Sequence, residues 1–92
     1  MNRITASLLR RLRNEIPISD IIRFHLDLPH KVQEGYLRFL CPNCSEFYTA
    51  INPKTNLACC FQCQINFNPI DLVMTVKKYS FLQAVDCLEK LL

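Results

Sequence analysis

A chain of 92 residues with a formal charge of only +3 is long enough for one domain with a modest core. That length excludes a second domain within these residues, and the weak charge excludes a nucleic-acid binder that works by bulk positive charge. Arginines at 3, 10, 11 and 13 interrupt any apolar run near the start, and no later stretch approaches bilayer-spanning length. The expected setting is therefore the cytoplasm, where the six cysteines stay reduced and open to metal.

Charge is unevenly spread. Residues 1–25 carry Arg3, Arg10, Arg11, Arg13 and Arg23 against Glu15 and Asp20, whereas bases and acids balance from residue 26 onward. Thr5 is placed to cap a first helix whose Leu8, Leu12 and Ile16 recur every fourth residue, with the arginines mostly off that stripe. The pattern breaks before Pro17. A second short helix is expected over 17–25, with Pro17 opening it and Ile18, Ile21, Ile22 and Leu26 forming its apolar face.

Residues 31–61 read as β structure. Strands are expected over 32–40 with a turn at Gly35, over 47–51, and over 57–61 after a turn at Asn52-Pro53-Lys54. Within this region Cys41-Pro42-Asn43-Cys44 and Cys60-Phe61-Gln62-Cys63 are separated by residues 45–59, a spacing at which two tight turns each offer a pair of thiolates to one tetrahedral Zn2+. Two disulfides or a redox pair are the alternatives, and the doubled motif favours neither. Cys59 faces away from Cys60 if its segment is a strand, and Cys87 falls in a helical pattern, so both read as packing thiols. His25 and His30 are surplus to four cysteine ligands and read as surface or packing residues. With a single glycine in the chain, the knuckles must turn on other residues, which places backbone strain at Gln64.

Two helices close the chain. Asn68-Pro69, with Asp71 three residues into it, opens a helix through about Lys78 that carries Ile70, Val73, Met74 and Lys77 at helical spacing. Asp71 thus reads as part of a cap and not as a catalytic acid. Ser80 with Gln83 forms a capping box for a last helix striped by Phe81, Ala84, Val85, Leu88 and Leu91. The fold class is α+β: a small zinc ribbon of antiparallel β-sheet flanked by two N-terminal and two C-terminal helices, forming a single domain over 1–92.

The order of motifs resembles the zinc-binding domain of bacterial replicative, toprim-type DNA primases. The matching pieces are Ile18-Ser19-Asp20-Ile21-Ile22, Leu40-Cys41-Pro42, Asn52-Pro53-Lys54, Cys60-Phe61 and Ile70-Asp71-Leu72-Val73-Met74. Four departures stand out. Cys44 occupies the place of the family's histidine, and Gln64 that of a usual glycine. The segment after the first knuckle is two residues shorter and lacks the family's Lys-Thr-Pro-Ser run. The chain stops where a toprim-type catalytic core would begin.

The resemblance implies one structural zinc on Cys41, Cys44, Cys60 and Cys63, and a module that engages single-stranded DNA template and cooperates with a primase catalytic core or another replication protein in primer synthesis. It makes Arg38, three residues before the first ligand, the leading DNA contact, with Lys54, Tyr36 and Tyr48 beside it to hold phosphates and stack bases. No cluster of carboxylates, Gly-rich phosphate loop or paired nucleophile and base is visible, so the chain alone reads as non-catalytic. Four thiolates on one Zn2+ leave the loaded chain near about +1. That weak charge keeps open a second reading, a zinc-ribbon protein-interaction adaptor of a replication or mobile-element system without DNA contact. A thiol redox protein is disfavoured, since no Cys-x-x-Cys opens a helix within a βαβ unit.

Overall fold

The computed structural model describes residues 4–92. Arg3, counted above with the basic segment, lies outside them. Helix α1 (Ala6–Asn14) starts where expected: Thr5 is extended, and its Oγ1 accepts from the Leu8 N–H at 3.0 Å. Leu12 is fully buried and Arg10, Arg11 and Arg13 face solvent. Helix α2 begins as α (Ile18–Asp20) and widens to an i→i+5 turn (Ile21–His25), closed by the Leu26 N–H on the Ile21 carbonyl at 2.8 Å. The expected face of Ile18, Ile21, Ile22 and Leu26 is buried, each isoleucine contributing about 2 kcal/mol. The widening itself had no sequence signal.

The β region forms two antiparallel sheets where one was expected. Strands β1 (His30–Gln33) and β2 (Tyr36–Phe39) make a hairpin in which Lys31 faces Arg38 and Gln33 faces Tyr36. Its two-residue turn, Glu34 at φ 55° and Gly35 at φ 82°, has the left-handed pair that matches strand twist. Strands β3 (Thr49–Asn52), β4 (Leu57–Cys60) and β5 (Ile65–Phe67) form the second sheet, with β4 central. Strand β5 was not foreseen, being only three residues long, and β3 begins two residues later than expected, leaving Phe47 and Tyr48 in the approach to it.

Thr49 joins the sheets. Its buried hydroxyl donates to the Phe39 carbonyl at 2.7 Å and accepts from the Phe39 N–H at 2.9 Å, while the Arg38 guanidinium donates to the Thr49 carbonyl.

The turn between β3 and β4 is tied to the helices. Asn56, left-handed at φ 56° and buried, donates through Nδ2 to the carbonyls of Arg13 and Ile16, each at 2.7 Å, and accepts from the Ile18 N–H at 2.8 Å. Helix α3 (Pro69–Lys77) carries its Asn68 cap, with the Asp71 N–H on Asn68 Oδ1 at 2.8 Å, and helix α4 (Phe81–Glu89) carries the complete Ser80–Gln83 capping box. Ala84, Val85 and Leu88 reach the core. Phe81, expected in that stripe, lies at the helix start and remains exposed, and Leu91 is only half-buried. The core gathers the buried faces of all four helices around Phe39, Ala58 and Phe67. Over the described residues the molecule measures 43 × 24 × 23 Å. No described helix is long and apolar enough to cross a membrane.

Candidate metal centre and adjoining cleft

The two knuckles are built alike. In each, the first cysteine is buried and paired with the residue five positions on: the Cys41 N–H donates to the Glu46 carbonyl at 3.0 Å, and Cys60 is laddered to Ile65. In each, the residue after the second cysteine turns left-handed, Ser45 at φ 60° and Gln64 at φ 58°. Gln64 therefore does occupy a conformation that favours glycine. Neither knuckle uses one.

This shared geometry brings four sulfurs together. The Sγ atoms of Cys41, Cys44, Cys60 and Cys63 all lie within 4.8 Å of one another, with Cys41 to Cys63 at 3.9 Å and Cys44 to Cys60 at 3.6 Å. A tetrahedron with Zn–S bonds of about 2.3 Å has edges of about 3.8 Å, so the donor set fits Zn2+, and the sulfurs are too far apart for disulfides. Backbone and amide groups aim at them: the Asn43 N–H reaches Cys41 at 3.4 Å, Asn43 Nδ2 reaches Cys63 at 3.2 Å, and the Cys63 N–H reaches Cys60 at 3.4 Å. Such donors stabilise thiolate charge. Cys59 and His30 stand outside the cluster; Cys59 is half-buried on β4, and His30 Nδ1 is 2.8 Å from the Leu28 carbonyl.

Without metal, four thiols this close disturb one another. Burial pushes Cys41 above its ordinary value, and burial with the neighbouring Cys63 thiol pushes Cys44 up to about 12. Burial also raises Cys60, but the Cys63 N–H and the surrounding thiols outweigh it and bring that thiol below its ordinary value. Zn2+ resolves the conflict by accepting all four as thiolates, and four protein ligands make a closed, structural site.

Beside the second knuckle, a cleft of about 500 Å³ opens between the β1–β2 hairpin and the approach to β3. Lys31 and Arg38 supply its cations; Phe47, Tyr48 and Phe61 supply its rings. Tyr48 and Phe61 are 61 % and 63 % exposed, and Lys31 Nζ lies 4.9 Å from the centre of the Phe47 ring. Glu34 and Glu46 stand in the same wall.

Of the residues nominated from sequence, Arg38 and Tyr48 meet in this cleft. Arg38 is half-buried and partly committed to Thr49, so it is a structural clasp as well as a wall. Tyr36 shares the strand face of Arg38 but is not among the lining residues, and Lys54 lies elsewhere, in a hollow against the end of α1. Lys31, Phe47 and Phe61 were missed. Lys31 was recoverable from the two-residue turn, which fixes it opposite Arg38; Phe61 sat in plain view between two ligands.

Two hairpin knuckles offering four cysteine sulfurs to one metal define a zinc ribbon. The family model described as the CHC2 zinc finger, of the DnaG zinc-ribbon type, matches residues 4–92, and the chain belongs to that family. Its metal is one structural zinc, held here with Cys44 among the ligands. A finger of this kind is in itself a zinc-binding, non-catalytic module. No curated protein matches the chain.

Proposed function

We propose that the chain is a single-domain module that takes single-stranded DNA template into the cleft beside its zinc site and serves primer synthesis in DNA replication, in the cytoplasm, alongside a primase catalytic core. One observation carries the reading: two cations and three aromatic rings converge on a single cleft next to the metal centre. Rings of this kind stack unpaired bases without regard to sequence, and the cations neutralise phosphates. Zinc fixes Phe61 by fixing the knuckle it rides on. The membership of a DnaG-type finger family supports the primase setting.

The test is anisotropy of a labelled single-stranded oligonucleotide at several salt concentrations. Lys31→Ala is expected to weaken binding and to lower the salt slope by about 0.7. Phe61→Ala is expected to cost about 1–3 kcal/mol with the slope unchanged, because stacking releases no counterions. Arg38→Ala combines a lost cation with a lost clasp and is expected to lower the melting temperature as well. Absence of binding by the unaltered chain would discard the template reading in favour of the protein-interaction adaptor.

A further inference from the structure

We propose a second phosphate-binding surface, built from the arginine face of α1 and the β3–β4 turn, which holds the nucleic-acid backbone beyond the cleft. The hollow at its centre, of about 340 Å³, is lined by Asn14, Pro17, Ser19, Ile51, Pro53, Lys54 and Asn56. Asn14 ends α1, so Arg10 lies one turn back on the same face, and Arg13 immediately precedes it. The three hydrogen bonds of Asn56 lock this end of α1 against the turn that carries Lys54. Cations far apart in sequence are thereby set on one fixed surface.

Charge selects the occupant. Arg10, Arg13 and Lys54 are exposed, and the salt bridge found among the described residues uses Arg11 and Glu15, leaving those three without an acidic partner. The cleft wall contains Glu34 and Glu46; this hollow is lined by no carboxylate and offers the Ser19 hydroxyl and Asn14 amide as neutral donors. A strip of unpaired cations with hydroxyl and amide groups suits a run of phosphodiesters. No aromatic ring lines it, so the surface grips backbone and reads no base.

The strand β4 relates the two surfaces. Asn56 precedes it and Phe61 follows it, five residue steps apart or about 17 Å along the strand. A strand seated in the cleft must continue past β4 to reach the arginines, so only a longer ligand touches both. This proposal extends the template reading but is separable from it.

The experiment compares single-stranded DNA of about four nucleotides, near the smallest known single-strand site, with one of about twenty. The zinc-loaded chain is used, as wild type, as Arg10→Ala/Arg13→Ala/Lys54→Ala and as Lys31→Ala/Phe61→Ala, with melting curves confirming that each folds. The triple variant is expected to lose tenfold or more in affinity for the long strand and about two units of salt slope, while binding the short strand as wild type does. Equal binding of the long strand by triple variant and wild type overturns this proposal and leaves the cleft intact. Loss in the triple variant with none in the Lys31/Phe61 variant supports the surface and removes the cleft instead. Failure of wild type to bind either strand overturns both.

Discussion

At the scale of single residues, two asparagine-like demands are met with different success. Asn56 adopts a left-handed conformation that asparagine tolerates, and it spends every polar atom of its amide on the helix junction. Asn56→Gly keeps the left-handed backbone comfortable and removes those bonds, so a loss of about 2 kcal/mol or more is expected in a denaturant titration, above the roughly 0.4–1 kcal/mol that glycine costs through the unfolded chain. Gln64 meets the same backbone demand with the wrong residue. Gln64→Gly is expected to stabilise the zinc-loaded chain by about 1 kcal/mol, seen as a melting temperature several degrees higher, and an unchanged melt would contradict strain at that knuckle. The strain at Gln64 was legible because glycine is scarce in the chain; the role of Asn56 was not, because its partners lie about forty residues away and no local pattern encodes them.

Elements were legible in proportion to how local their causes are. The caps at Thr5, Asn68 and Ser80 act within three residues, and all three open helices as read. The metal ligands were legible for the same reason, each pair being one turn. What escaped was the division of the β region into two sheets, which depends on Thr49 meeting Phe39 across the knuckle, and β5, which is a strand only because β4 lies beside it. Among the cysteines the same logic separates roles. Cys60→Ser removes one of four ligands and is expected to leave the chain largely unfolded by circular dichroism, whereas Cys87→Ser, at a half-buried place on α4, is expected to melt close to wild type. Similar melting of the two would sink a structural role for the metal.

For the whole molecule, zinc and protons compete. Cys41 and Cys44 have raised values in the metal-free chain, so both are protonated at neutral pH and must release protons when they become ligands. Raising pH therefore favours zinc, and lowering it from 7 to 6 is expected to weaken the metal by about 100-fold or more, since at least the protons of Cys41 and Cys44 are displaced, measured with a competing chelator. A flat profile would mean that the thiols were already ionised. The separation of the two sheets governs time as well as shape. The β1–β2 hairpin is bound to its neighbour by side chains and not by a strand ladder, and every residue of β1 is exposed, whereas β4 is laddered on both edges and ends in a metal ligand. Amide hydrogens of β1 are thus expected to exchange with deuterium far sooner than those of β4. The two walls of the cleft differ in the same way: Lys31 rides on the exposed hairpin strand, whereas Phe61 directly follows Cys60 of the metal centre, so a local opening of β1 would widen the cleft and leave the four sulfurs in place.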